Sequence, residues 1–132
     1  MSEASKKGKR GESTVKKYFE NLDYIVTKGK RGCGYDFLIK NGKKETKIEV
    51  KTSSKDKGIP DCHSSLFNKN KSVKADFFYI VRLKKKIIEV LTKKEIDSYK
   101  KSHKWIKRLR TTKLDDALYK GVVGKKIPLS EL

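Results

Sequence analysis

Residues 35–51 read YDFLIKNGKKETKIEVK. The pair Asn41-Gly42 is typical of a two-residue β-hairpin turn, and runs that favour strands flank it on both sides. Such a turn makes Lys40 face Lys43. Because the side chains of a strand alternate between the two faces of a sheet, we expect one face of this hairpin to be core. That face carries Tyr35, Phe37, Ile39, Thr46, Ile48 and Val50.

The opposite face of the hairpin carries Asp36, Glu49 and Lys51. In this register Asp36 opposes Lys47, so Glu49 is its diagonal neighbour at roughly 7–8 Å between backbone positions. Two carboxylates that reach inward from that separation can share one metal ion. Strand alternation alone therefore predicts a polar site on this face.

The pattern formed by Asp36, Glu49 and Lys51 suits phosphodiester hydrolysis. That reaction needs a divalent cation to offset negative charge and to lower the pKa of an attacking water. Carboxylate oxygens favour Mg²⁺ or Mn²⁺, which is the cofactor we expect. A lysine two positions after a carboxylate, on the same strand face, can orient the water or stabilise developing charge. Glu-x-Lys also arises by chance on solvated strand faces, so other features have to support the hypothesis.

Periodicity and capping signals predict the remaining elements. Residues 1–9 are expected to be a flexible basic arm. The helix that follows begins at Gly11 and buries a stripe formed by Val15, Tyr18, Phe19 and Leu22. The order of elements indicates a mixed α/β fold. A short strand at 24–27 and a loop at 28–34 precede the hairpin. Downstream of it we expect a loop at 52–60, a weakly helical or irregular segment at 61–73, and strands at 75–83 and 87–91. A helix at 93–101 and a short helix that opens at Thr112 and stops near Gly121 follow.

The charge balance indicates a polyanionic partner. Lys and Arg outnumber Asp and Glu by 35 to 16, a formal net charge of +19. Such an excess of positive charge opposes compaction of the chain. It favours binding to nucleic acid, because cations that neutralise phosphates release condensed counterions. A merely solubilising surface would balance the two signs. We therefore expect nucleic acid as the partner, DNA first and RNA as a possibility.

The sequence also indicates a compartment. The first ten residues contain no apolar run typical of a secretory signal, and no segment approaches the length of a membrane span. Cys33 and Cys62 are too few for a disulfide framework and suit a reducing environment. We expect a cytoplasmic, DNA-associated protein with no membrane partner.

The chain resembles the PD-(D/E)xK nuclease superfamily, which includes type II restriction enzymes and archaeal Holliday junction resolvases. Its layout is most similar to the resolvases over roughly residues 8–91. The resemblance implies a restriction-endonuclease-like core, with a mixed central β-sheet flanked by helices. It implies that Glu12, Asp36, Glu49 and the backbone carbonyl of Val50 bind the metal, that Lys51 is the catalytic lysine, and that the protein is a homodimer.

Three features depart from that family. Tyr35 stands where the family often has proline, and residues 61–72 and 92–132 have no counterpart that we can assign. We expect residues 10–132 to form a single nuclease domain, in which 92–132 is an extra helical C-terminal segment.

The predicted function is a metal-dependent endonuclease that acts on DNA, with a structure-selective, Holliday-junction-like activity as the first choice. A restriction-like enzyme and an RNA-cleaving toxin are alternatives. A hypothesis from another class is a nucleic-acid-binding protein that keeps the fold without catalysis. Loop 28–34 lacks the spacing of a nucleotide-binding P-loop. The expected nucleic-acid contacts are Lys7, Lys9, Arg10, Lys28, Lys30, Arg31, Ser53 and Lys55.

Other chemistry-bearing residues have simpler explanations. Glu12 near a helix start also suits the helix dipole. The cysteines and histidines (Cys33, Cys62, His63 and His103) match no common zinc spacing. Trp105 is expected to pack in the core, while the cations around it contact nucleic acid.

Overall fold

A computed structural model describes residues 3–30, 32–55, 58–60, 74–106 and 110–113. It is a mixed α/β fold, as the sequence predicts. Within the described residues no helix is long and apolar enough to cross a membrane. The elements in chain order are α1 (Glu3–Asn21), β1 (Ile25–Lys28), β2 (Phe37–Asn41), β3 (Lys44–Ser53), β4 (Phe77–Arg82), β5 (Ile87–Thr92), α2 (Lys93–Ser102) and β6 (Arg110–Lys113).

The described strands form one mixed sheet in the order β1-β2-β3-β4-β5-β6. Strands β3 and β4 are parallel, and the other neighbouring pairs are antiparallel. Residues 78–82 of β4 are all buried, as expected for a strand in a sheet that is covered on both faces. The mixed central sheet is therefore confirmed.

Each face of the sheet has its own apolar cluster. Helix α1 buries Val15, Tyr18 and Phe19 against β2, β3, β4 and β5, with Leu22 partly buried, which confirms the predicted helical stripe. On the other face, Ile96 of α2 packs with Phe78 and further apolar residues. Trp105 packs against that second cluster, as predicted.

The N-terminal segment differs from the prediction. Residues 3–9, expected to be part of a flexible arm, are the first turns of α1. Lysine and alanine are strong helix formers, but residues 3–9 contain no apolar stripe that would reveal the helix. A tertiary contact stabilises this part of the helix instead: Lys7 Nζ donates a hydrogen bond to Ser54 Oγ at 2.8 Å.

The hairpin forms in a register shifted from the predicted one. Asn41 pairs with Lys44, so the turn is Gly42-Lys43 rather than Asn41-Gly42. Gly42 has a φ of +66°, at the first central position where a type II′ turn places glycine. Lys47 pairs with Leu38, so Asp36 does not oppose it as predicted. Asp36 lies just before β2, and its amide donates to Ile48 O.

The predicted faces nevertheless hold, because the shift moves each partner by an even number of residues. The core residues of the hairpin are buried as expected: Phe37, Ile39, Thr46, Ile48 and Val50. Tyr35 is the exception. It precedes β2, is half-buried, and packs against the cluster around Phe78 on the other face.

The described part of the C-terminal segment contains a strand, β6, in addition to helix α2, so it is not purely helical. The capping box that opens α2 is present, since Thr92 Oγ1 accepts from Glu95 N and Glu95 Oε1 accepts from Thr92 N. The predicted second box is wrong at its first residue, because Thr112 lies in β6 and pairs with Ile88. The rest of that predicted helix lies outside the described residues, as do the predicted irregular residues 61–73.

Candidate active site

A cleft of about 280 Å³ opens where α1, the end of β1 and the start of the hairpin meet. It is the candidate active site, because Glu12, Asp36 and Glu49, the carboxylates that the sequence assigns to a metal site, all line it. Both acidic and basic side chains line it, together with three glycines of the 29–34 loop. The lining residues are Glu12, Lys28, Gly29, Lys30, Gly32, Gly34, Tyr35, Asp36 and Glu49.

Asp36 is fixed by hydrogen bonds of both its backbone and its side chain. Its amide donates to Ile48 O at 2.9 Å, and its carbonyl accepts from Gly29 N at 2.7 Å. Its Oδ2 accepts from the amide of Val50 at 2.7 Å. The side chain is therefore held against β3, and it forms a side-chain hydrogen bond with Glu49.

Glu49 and Lys51 extend from the same face of β3, since they are two residues apart. Lys51 Nζ lies 3.6 Å from Glu49 Oε1, and the two side chains are 24% and 18% exposed. Burial raises the pKa of Glu49 to about 7, and the negative charge of Asp36 contributes to this rise against the opposing effect of Lys51. Glu49 therefore holds a proton more readily than an exposed glutamate.

Glu12 reaches the same cleft from α1. Its neighbour Gly11 is buried against Thr52 of β3, and this close approach brings the helix down onto the strand that carries Lys51. Burial and then the charge of Asp36 raise the pKa of Glu12, while Lys28 and Lys51 lower it. The predicted grouping of Glu12 with Asp36 and Glu49 is thus observed.

Burial, and then the charge of Asp36, raises the pKa values of Glu12 and Glu49, so three carboxyl groups share one partly desolvated cleft. Their oxygen atoms are donors of the kind that Mg²⁺ and Mn²⁺ prefer. Within the described parts of the chain, however, no three His, Cys, Asp or Glu side chains are arranged to hold a metal ion as they stand. Asp36 Oδ2 accepts from Val50 N and Glu49 Oε1 lies near Lys51 Nζ, and each of these carboxyl groups has a second oxygen atom. The donor chemistry fits the ion.

The residues predicted to contact nucleic acid are distributed unevenly around the cleft. Lys28 and Lys30 line it. Ser53 is 0% exposed, so its prediction as a contact is wrong: the strand that carries Lys51 continues through Ser53 and buries it. Arg31 lies outside the described residues. The remaining members lie on α1 and after β3: Lys9, Arg10 and Lys55 are exposed, and Lys7 is half-buried.

The predictions from sequence missed the buried arginine of β4. Arg82, at the end of β4, is 0% exposed and its Nε donates to Glu89 Oε1 at 2.6 Å. Its guanidinium also donates to the carbonyl of Lys55 at 3.1 Å and to the carbonyl of Gly58. Arg82 therefore holds Lys55 and Gly58, which follow β3 in the chain, by hydrogen bonds to their carbonyl groups. The available signal was an arginine and a glutamate inside two otherwise apolar strands.

Comparison with solved structures relates this fold to an endonuclease. The chain is similar to the bacterial homing endonuclease I-Ssp6803I, with a TM-score of 0.59 and 15% identity over 98% of this chain and 87% of that chain. At this identity the likeness shows the fold alone, which is nuclease-like.

Comparison of sequences adds one partial match. The family described as protein NO VEIN, C-terminal, matches residues 8–61, which is less than half of the chain. The matched segment contains Glu12, Asp36, Glu49 and Lys51. No curated protein matches the chain.

Proposed function

We propose that this chain is a metal-dependent endonuclease that hydrolyses DNA phosphodiester bonds. The observation that carries the proposal is the meeting of Glu12, Asp36 and Glu49 in one cleft, with Lys51 beside Glu49. The nuclease-like fold supports it. A purely structural role would not explain a cluster of three carboxyl groups, two of them with raised pKa values, within a domain of net charge +19.

In this proposal the carboxylates of Glu12, Asp36 and Glu49, with the carbonyl of Val50, hold Mg²⁺ or Mn²⁺. Such an ion offsets negative charge on the scissile phosphate and activates the attacking water. Glu49 would hold the ion as its carboxylate, because only that form pairs with a cation. Lys51 would orient the attacking water or stabilise the charge that develops on the phosphate.

DNA is the proposed substrate for two reasons. The positive charge of the chain supplies sequence-independent affinity for phosphates, and Lys28 and Lys30 place part of it at the cleft. The solved structure with the similar fold is named as a homing endonuclease. We propose that cleavage is structure-selective, with branched DNA preferred, that a homodimer places two clefts against two strands, and that the protein works inside the cell.

The experiment is incubation with Mg²⁺ or Mn²⁺ and a panel of duplex, four-way-junction, single-stranded and RNA substrates. The variants Glu49→Ala and Lys51→Ala should each lose about 10²–10⁴-fold in cleavage rate while still binding. The matched controls Glu45→Ala and Lys43→Ala change the same residue types on the same hairpin away from the cleft, and should cleave normally. Tight binding by the wild type without cleavage in either metal would support a non-catalytic binding protein instead. Cleavage of RNA alone would support the toxin alternative.

A further inference from the structure

Tyr35 is the one aromatic residue among the residues described as lining the cleft. It immediately precedes Asp36 and lines the same cleft as Glu12 and Glu49, so a phosphate bound at these carboxylates would lie in the cleft that Tyr35 lines. It is half-buried, which leaves part of the side chain open. An aromatic side chain in the same cleft as a predicted phosphate site can contact the nucleotide that carries the phosphate.

The surroundings of Tyr35 fix the position of its ring. Part of it packs against the apolar cluster around Phe78. Lys47 Nζ lies over the ring at 5.7 Å from its centroid, and its side chain is exposed, so a base that stacks on this face takes the place of Lys47. Gly29 leaves room for it, because a Cβ added there would come within 3.2 Å of Tyr35 Cδ2. The Cys33 thiol donates to Tyr35 O at 3.2 Å. The ring is therefore held before any ligand arrives.

We propose that Tyr35 is a stacking platform for an unpaired nucleobase next to the scissile phosphate. The inference rests on the proposed nuclease function and defines its substrate class as DNA with an unpaired nucleotide at the cut site. Base stacking on an aromatic side chain contributes about 1–3 kcal/mol per base and tolerates any sequence, because every base has a π-face. A ring that packing already holds loses little entropy on binding.

The charges around Tyr35 agree with a single strand as the ligand. Lys28 and Lys30 line the same cleft, and Lys47 lies over the ring. Cations that follow a backbone, interleaved with an aromatic residue that stacks on bases, are the usual arrangement for single-stranded nucleic acid. In a continuous duplex both faces of each base are already stacked on neighbours, so none is available to Tyr35.

The first test measures binding in EDTA, so that DNA stays intact. The full chain is titrated into a forked duplex with 2-aminopurine at the first unpaired position, and into a continuous duplex that contains the same base. Tyr35→Leu should weaken binding to the fork about tenfold, the equivalent of about 1.4 kcal/mol, and should abolish the 2-aminopurine quenching. Tyr35→Phe should retain both. Tyr24→Leu, at a half-buried tyrosine that does not line the cleft, should leave the preference for the fork unchanged.

The second test needs no variant and so does not depend on the folding of Tyr35→Leu. Photocrosslinking of wild-type protein to a fork that carries 5-iodouracil at the unpaired position should label the tryptic peptide 32–40, which contains Tyr35. Labelling of a different peptide, or a fork preference that survives in folded Tyr35→Leu, overturns the stacking proposal even if the enzyme cleaves DNA. Stacking without cleavage in Mg²⁺ or Mn²⁺ overturns the nuclease proposal alone.

Discussion

Gly11 of α1 lies directly against Thr52 of β3: a Cβ added at Gly11 would stand 1.9 Å from Thr52 Oγ1. The next residue of the helix is Glu12 and the preceding residue of the strand is Lys51. The absence of a side chain at position 11 therefore sets the distance between the two elements that carry these groups. This close approach explains why α1 contains a glycine at position 11, although glycine has a poor helix propensity.

Substituting Gly11→Ala should separate α1 from β3. Overpacking of this kind costs about 1–3 kcal/mol, which outweighs the gain of about 1 kcal/mol in helix propensity. Urea unfolding should show this loss together with reduced cleavage. The matched control is Gly8→Ala in the same helix, where an added Cβ meets nothing within 4 Å. That variant should be more stable than the wild type, and equal effects of the two substitutions would contradict the role of close packing.

The carboxyl cluster should make the metal-free protein less stable as the pH rises. Because the pKa of Glu49 is raised to about 7 from 4.5 in the folded state, the folded chain binds more protons than the unfolded chain between these values. Ionisation of Glu49 should lower the free energy of unfolding by an amount on the order of 1–3 kcal/mol. This loss begins above pH 4.5 and is complete only above pH 7. Thermal unfolding in EDTA at pH 5 and pH 8 measures it. Glu49→Gln should flatten the profile, whereas the exposed control Glu45→Gln should not.

Divalent cations should offset this repulsion. Mg²⁺ or Mn²⁺ bound to the folded state alone stabilises it by about 2.7 kcal/mol at a hundred times the dissociation constant. The melting temperature of the wild type should therefore rise on addition of either ion, and rise more at pH 8 than at pH 5. Asp36→Asn should abolish the increase. Asp23→Asn is the control, since Asp23 lies outside the cleft with a φ of +66°, a conformation that asparagine accepts.

The Arg82–Glu89 pair leads to a prediction about stability rather than chemistry. Removing one member of a buried ion pair leaves the other uncompensated, which costs about 3–5 kcal/mol. Arg82→Met should be strongly destabilising, because it also leaves the carbonyls of Lys55 and Gly58 without their donor. The double variant Arg82→Met/Glu89→Met should lose less than the sum of the two single variants in urea unfolding. Strict additivity would show that the pair does not act as a unit.

The residues that can be placed correctly from sequence are those fixed by strand alternation. A period of two assigns Glu49 and Lys51 to one side of β3, and that assignment survives the register shift, while Asp36 meets Glu49 from just before β2. The register itself depends on whether Gly42 takes the first or the second central position of the turn, and both are compatible with Asn41-Gly42.

The remaining differences come from contacts between distant segments. The N-terminal turns of α1 are anchored by Lys7 on Ser54, and β6 exists through its pairing with β5. The burial of Arg82 depends on carbonyl groups at Lys55 and Gly58, more than twenty residues earlier in the chain. No local pattern of residue types encodes such partners.

The cleft cations should determine how DNA binding depends on salt. Lys30 is part of the cleft lining, so Lys30→Gln should remove about one phosphate contact. The slope of log K against log salt should then fall by about 1, with lower affinity for every sequence tested. Lys43→Gln, at the distal turn of the hairpin, removes the same charge from the chain but should leave the slope nearly unchanged. Fluorescence anisotropy titrations over a series of salt concentrations separate the two variants. If both flatten the slope equally, the positive charge acts through the whole surface, and DNA does not follow the cleft that contains Asp36.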